Sequence, residues 1–385
     1  MINYQLANMS IRKLKRYYYV LIKRFYYYLM GVERRRDYSI GSTQKSIRRA
    51  GVEMEPITNA QWRIIKKRFR GFRVRKEWFD FYNTAFKNQH PFDSYDITRV
   101  IPGPVYYPYV DPAFSHPLEA MTTSDKNLTD LLFPDVRRPK TIVRFQDGLF
   151  MDDKYSIIAK DEAYESIRLA GKVIIKPSAS SGGGHKIVFW NADNDGTQRF
   201  DELFVKGRYY VVQEILKQHQ LMDYLYAGSI NTIRMETLLF KNEVRLISCL
   251  VRMGANGIRV DNLSSGGMSC SVDVNTGQLS SKAYDFHRLN VTYDQHPQGG
   301  KFEGVTIPNW EKCVATVKGL APRCGRFARL IGWDIAISEN GEPVLIECNM
   351  MDSGCESLQL DNGPMFGNLT DEVLEYVRTH KRTSY

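Results

Sequence analysis

GWDIAISENGEPVLIECN, residues 332–349, sets two apolar runs, 333–337 and 344–346, on either side of Asn340-Gly341. Asn-Gly suits the positive-φ positions of a type I′ turn, so the stretch predicts a β-hairpin. With Asn340 and Gly341 as the central pair, Glu339 faces Glu342, and pairing runs outward until Asp334 lies opposite Glu347. Side chains alternate along a strand, so Glu347 and Asn349 share a face, and cross-strand pairing adds Asp334 to it. Trp333, Ile335, Ile337, Val344 and Ile346 are the expected buried face. Opposed carboxylates repel unless positive charge sits between them. Two carboxylates and an amide oxygen form a hard donor set that suits Mg²⁺. The same residues also suit an ordinary polar sheet face on which Asn349 ends a strand, and the hairpin alone leaves both readings open.

Upstream, KVIIK (172–176) reads as a short strand ending in Lys176, and SASSGGGHKI (178–187) follows at once. Such a loop can fold its backbone N–H groups over phosphates beside the fixed charge of Lys176. It is not a Walker A motif, because the lysine precedes the glycines, and alone it equally describes a surface turn. YYVVQEIL (209–216) is a further apolar strand. In SINTIRMET (229–237), Asn231 and Ile233 face one side, Thr232 and Arg234 the other; an arginine so placed offers fork-like donors to a phosphoryl group. Lys126 lies in SDKNLTDLLF, where Ser124 or Asp125 can cap a helix that turns Leu128, Leu131 and Leu132 inward. The run 244–252 predicts a strand that delivers Arg252, followed by a polar, glycine-rich loop through residues 260–267 and a hairpin at 275–277. A helix over 310–328, bent at Ala321-Pro322, leads back to the acidic hairpin.

The 385 residues allow two domains or one elaborated α/β domain. No apolar run approaches the roughly 20 residues that span a bilayer, and no signal-peptide pattern is present. The expected location is therefore the cytoplasmic side. Six cysteines without C-x-x-C spacing fit buried reduced thiols. Cys348, between Glu347 and Asn349, alternates into the core and is not expected to be a nucleophile. No Ser-His-Asp spacing, HExxH or Rossmann fingerprint occurs.

The net charge of +10 is uneven: residues 1–90 carry 21 Lys or Arg against 6 Asp or Glu. Residues 10–30, SIRKLKRYYYVLIKRFYYYLM, place Leu14, Tyr18, Leu21, Ile22, Phe25 and Leu29 at helical spacing, with the basic residues largely elsewhere on the wheel. Such a helix can lie on an anionic membrane surface or pack its aromatic face on the protein. No recognised nucleic-acid-binding motif accompanies the charge. A second basic helix is expected over 59–82, capped by Thr58 or Asn59. The Pro- and Tyr-rich passage 101–117 is expected not to be regular helix and to connect into the catalytic body. These boundaries divide the chain into a basic helical region (1–120), a catalytic domain (121–370) and a tail (371–385).

The order DKNL, VIIKPSASSGGG, VVQEIL, SINTIR, RMGANGIRVDNLSSGG, HPQ with IPNW, and GWDIAISENGEPVLIECN resembles the ATP-grasp superfamily, and in detail its sugar-transfer-associated branch, similar to proteins of teichuronopeptide and cell-surface polysaccharide synthesis. The resemblance implies an α/β (α+β) ATP-grasp fold, two subdomains enclosing a nucleotide, with ATP and Mg²⁺ as cofactors. It implies that Lys126 and Lys176 contact the nucleotide, that Ser181, Gly182, Gly183 and Gly184 cover its phosphates, and that Gln213, Glu214, Ile215 and Leu216 meet the adenine edge. Asp334, Glu347 and Asn349 would hold the metal, and Arg234 and Arg252 would steady the transferring phosphoryl group, with Lys176 beside them. Gln218 and His219 stand where a ribose-gripping acid is expected, so Asp223 is the substitute candidate. Asn231, Asp261, Asn262, Gly266, Gly267 and His296 would face the acceptor, although His296 also fits a plain loop residue. The activity implied is carboxylate–amine ligation through an acyl phosphate. Its partners would be a sugar acid or glycan-precursor carboxylate and an amino acid or amino sugar, at the inner face of the membrane. Two other readings stay open: a kinase acting on an alcohol, and a catalytically silent protein recruited to a polysaccharide assembly.

Overall fold

The computed structural model describes residues 53–89, 95–116, 119–120, 123, 125–179, 186–285 and 288–380, with isolated positions 41, 45 and 51. The basic segment 10–30 and the glycine run 182–184 lie outside the described residues. Strands β1 (Thr141–Gln146), β2 (Leu149–Met151), β3 (Ile157–Ile158), β4 (Lys172–Pro177), β5 (Val188–Asn191) and β6 (Tyr209–Glu214) form one antiparallel sheet in the order β3-β2-β1-β6-β4-β5. Strands β7 (Thr232–Phe240), β8 (Glu243–Met253), β9 (Met268–Val272), β10 (Leu279–Asp285), β11 (Arg288–Tyr293), β12 (Leu330–Ile337) and β13 (Pro343–Asn349) form a second, in the order β11-β10-β9-β8-β7-β12-β13, also antiparallel.

Alternation gives the second sheet two different faces. One buries Ile233, Met235, Val251, Trp333 and Ile335 against Trp310, Cys313 and Val317 of a helix at Trp310–Leu320. That helix stops at Leu320 and continues as a single 3₁₀ turn over Ala321–Cys324, because Pro322 cannot extend an α-helical ladder. The opposite face is shared. Leu238, Phe240, Leu250 and Leu330 belong to one core with residues of the helices α1 (Asn59–Arg68) and α2 (Lys76–Gln89) and of two C-terminal helices, Cys355–Asn362 and Thr370–Thr379. Its remaining part is polar and open to the first sheet.

The expected single helix over 59–82 is thus two helices. Thr58 caps the first with a complete capping box from Gln61, and the break falls at Gly71, which takes φ +92°. The passage 101–117 is coiled as well as connecting: Gly103–Val105, Tyr106–Val110 and Asp111–Phe114 are successive α, π and α turns. Pro104 and Pro112 sit in first-turn positions, where no N–H is needed. Leu128 and Leu131 do not turn inward: Asp125 caps a 3₁₀ turn, Lys126–Leu128, that runs into a single α turn, Thr129–Leu132, and leaves Leu131 63% exposed. All six cysteines are buried thiols. Among the described residues no helix is long and apolar enough to cross a membrane.

Candidate functional site

The acidic hairpin reaches its expected pairing by a different path. Asn340 does not take positive φ; only Gly341 does, at +81°. The turn holds three residues, 339–341, closed by hydrogen bonds from Gly341 N to Ser338 O and from Ser338 N to Glu342 O. That offsets the register by one, so Ile335 pairs with Leu345, until a bulge between Asp334 and Ile335 returns Asp334 opposite Glu347. The bulge also changes which apolar residues are buried in the core. Leu345 joins Trp333, Ile335 and Ile337, whereas Ile346 turns into a cavity between the sheets.

On the open face, neighbouring strands set Arg234, Asp334 and Glu347 in one cross-strand row and Glu236, Gly332 and Asn349 in the next. Arg252 stands opposite Thr232. Thr232, Arg234, Arg252, Asp334, Glu347 and Asn349 form one wall of a cavity of about 560 Å³ whose other wall includes Ile174, Lys176 and Phe189 of the first sheet, Ile187 just before β5, and Glu214 at the end of β6 with Ile215 and Leu216 beyond it.

The wall is built from ion pairs. Arg234 Nε donates to Asp334 Oδ1 at 2.6 Å, and Arg252 Nη2 lies 2.9 Å from Asp334 Oδ2. Burial raises the Asp334 pKa, but the two guanidinium groups outweigh it and hold the carboxyl at about 2. Asp261 accepts from Thr232 Oγ1 and lies 3.5 Å from Arg252 Nε. Lys126 Nζ donates to Glu347 Oε1 at 2.9 Å. The positive charge that the opposed carboxylates require is therefore supplied by Lys126, Arg234 and Arg252. Among the described residues Lys176 has no such carboxylate partner: its Nζ donates to Gln213 Oε1 at 3.2 Å, and burial pushes its pKa down to about 8, with Glu347 opposing and Lys126 adding to the shift.

Behind this row, Glu236 is fully buried. Ser353 Oγ donates to its Oε1 at 2.8 Å, while Oε2 has no hydrogen-bond partner. Burial pushes its pKa up to about 8 against the pull of Arg234. Gly332 is a close approach: a Cβ there would come within 2.9 Å of Glu236 Oε2 and 3.3 Å of Arg234 Cδ.

Asp334, Glu347 and Asn349 line the cavity together, so the hard donor set is assembled. Asn349 Nδ2 donates to Asp334 Oδ2 at 3.4 Å, which leaves the amide oxygen as an acceptor. Both Asp334 oxygens are held by arginines, so a Mg²⁺ ion fits Glu347 and Asn349 first, and Asp334 only where an arginine yields. Among the described residues no cluster of three His, Cys, Asp or Glu offers an alternative centre.

The remaining candidate residues divide plainly. Asp223, Asp261 and Asn262 line the cavity; Asp223 Oδ1 accepts from Gln218, and Asn262 caps the turn at Leu263–Ser265. Asn231 does not: it is fully buried and donates to Met222 O and Tyr226 O at 2.7 and 2.8 Å, a brace for the loop before β7. His296 is also fully buried, bonded to Gly254 O at 2.8 Å, accepting from Gln298 N at 3.1 Å and stacked on Tyr226. Gly267 is needed for space, since a Cβ would meet Met253 O at 2.7 Å, and Gly266 takes φ +97°; neither lines the cavity. Ser181 shares the glycine run's position outside the described residues.

Arg259 and Phe189 line the cavity without having been singled out from sequence. The Arg259 guanidinium lies over the Phe189 ring, 3.7 Å from its centroid, so the stack joins the two walls.

A family model described as sugar-transfer associated ATP-grasp matches residues 113–374, about two thirds of the chain. No curated protein matches. Among solved structures, a D-alanine–D-alanine ligase from Bacillus anthracis is 13% identical with a TM-score of 0.38, over 69% of this chain and 71% of that one. An L-amino acid ligase from Bacillus licheniformis is 12% identical with a TM-score of 0.39, over 77% and 59%. The ATP-grasp ligase PsnB, complexed with minimal precursor, Mg and ADP, is 14% identical with a TM-score of 0.38, over 69% and 62%. Likenesses this loose carry no chemistry across.

Proposed function

We propose that this chain, which belongs to the sugar-transfer associated ATP-grasp family, is an ATP-dependent carboxylate–amine ligase working in the cavity between its two sheets. The observation that carries the reading is the convergence of Lys126, Lys176, Arg234, Arg252, Glu347 and Asn349 on one space of nucleotide size. Its two walls differ: apolar residues and the main chain at the end of β6 that suit a base on one, paired charges that suit phosphates on the other.

In the proposed reaction a substrate carboxylate oxygen attacks the γ-phosphorus of ATP, the bond to the β-phosphate oxygen breaks, and ADP leaves an acyl phosphate. An amine nitrogen then attacks the acyl carbon, phosphate departs with its oxygen, and the nitrogen loses a proton to solvent. Glu347 and Asn349 would hold Mg²⁺, which when bound neutralises phosphate charge. Arg234 and Arg252, fixed by Asp334, stabilise the phosphoryl group in flight, and Lys176 positions the chain of phosphates. Arg234 is preorganised: Asp334 grips one side, and Ser353 O accepts from its Nη1. The residues expected to cover the phosphates, Ser181 to Gly184, would exclude water from the acyl phosphate.

The substrates proposed are a sugar acid or glycan-precursor carboxylate and an amino acid or amino sugar, with segment 10–30 resting on the membrane. The test is ADP release from ATP offered with pooled uronic-acid sugars and amino acids, followed by mass spectrometry of products. ADP formation requiring both a carboxylate and an amine, and lost in Glu347→Gln and Lys176→Ala, supports the ligase. ADP formation with an alcohol alone indicates a kinase, and full activity in both variants removes the site.

A further inference from the structure

Six cationic side chains line the cavity: Lys126, Lys176, Lys217, Arg234, Arg252 and Arg259. The two arginines on the strands are committed to Asp334 and Asp261, and Lys126 is committed to Glu347. Arg259 differs. Among the described residues no carboxylate lies within ion-pair distance of it, and although the residue is exposed, its guanidinium carbon lies over the Phe189 ring, 3.7 Å from the centroid.

The geometry of that stack matters. A guanidinium resting face-on against a ring uses its π surface, and its N–H donors all point outward in the plane. Stacking therefore fixes the group without using a hydrogen bond. Phe189 is itself placed by pairing with Ile174, two residues before Lys176, so the stack belongs to the cavity face of the first sheet. Arg259 comes from the opposite side, on the loop between β8 and β9 that also supplies Asp261 and Asn262. An oxyanion held in the guanidinium plane would join both walls.

We propose that Arg259 is an oxyanion-binding residue of this cavity, preorganised by Phe189 and bridging the two sheets when its ligand is seated. This rests on the cavity being the nucleotide and acceptor site. A phosphate oxygen of the nucleotide and the carboxylate of the second substrate share the chemistry the fork recognises, and the experiment separates them.

Mg–AMPPNP, adenosine and malonate are titrated calorimetrically into the full-length protein and into Arg259→Gln, Arg259→Lys and Phe189→Leu, malonate both with and without nucleotide. A charged hydrogen-bonded fork predicts roughly tenfold weaker binding of its ligand in Arg259→Gln. Lysine restores only part of that, Phe189→Leu weakens the same ligand by a smaller factor, and adenosine is unchanged. A loss confined to Mg–AMPPNP assigns Arg259 to the phosphates; one confined to malonate assigns it to the carboxylate substrate. Unchanged binding of both, or an equal loss of adenosine, overturns the proposal. Failure of the unmutated protein to bind Mg–AMPPNP sinks the nucleotide reading itself, and the malonate titrations still decide Arg259.

Discussion

Lys176 is the residue at which stability and binding pull apart. Its amine is held among other cavity groups with its pKa near 8, below its ordinary 10.5, chiefly because burial disfavours the charge. The unfolded chain therefore binds more protons between those two values, and stability gains as pH rises through that window. Phosphate binding needs the proton and runs the other way. Lys176→Met should raise the melting temperature at pH 7 while weakening Mg–AMPPNP on the order of tenfold or more; in the unmutated protein, affinity should fall as pH passes 8. Calorimetry over pH 6.5–9.5 beside thermal melts checks both, and a destabilised Lys176→Met protein with flat pH dependence would refute the assignment.

At the scale of the element, the hairpin of β12 and β13 has no slack beneath it. Gly332 lies between Glu236 and Asn349 in its cross-strand row, and a methyl there meets Glu236, Ser353 and Arg234 at 2.9 to 3.3 Å. Gly332→Ala should cost about 1–3 kcal/mol of stability through overpacking and lower the turnover number more than it raises the nucleotide KM, since Arg234 must move. Urea unfolding with steady-state kinetics separates these; an alanine variant with full turnover would show that Arg234 has room. This hairpin also shows what sequence can and cannot say. The opposition of Asp334 and Glu347 was legible, but the assumed two-residue turn omits both the third loop residue and the bulge that compensates for it. Two local departures cancel at the site, and what remains visible is Ile346 in the cavity where Leu345 was not expected in the core. Arg234 announces itself by alternation, and Lys176 and Arg252 as the polar ends of short apolar runs; all three reach the cavity. Arg259 had no such signal, because its loop has no period and its partner Phe189 is distant in sequence.

For the whole molecule, apolar packing ties residues before position 120 to the C-terminal helices. Described apolar residues between Ile57 and Phe114 share one core with the two C-terminal helices and with Leu238, Phe240, Leu250 and Leu330 of the second sheet. Arg68 pairs with Asp371 at 2.6 Å, and Arg378 donates to Arg70 O at 2.9 Å. Composition reports where charge lies, not which apolar faces meet, so the layer was invisible in the sequence. A chain cut to 113–374, the span of the family match, should lose cooperative unfolding and aggregate, because it removes α1, α2 and the 3₁₀ and π turns before Asp111, which supply much of that shared core. Circular dichroism melts and gel filtration check this; a monomeric, cooperatively melting fragment would contradict it.

The most direct measurement is a crystal structure of the full-length protein with Mg–AMPPNP. The triphosphate should lie between the two sheets, with Lys126 and Lys176 on its oxygens and the metal against Glu347 and Asn349. A nucleotide bound elsewhere, or a metal that leaves Glu347 paired only to Lys126, would contradict it.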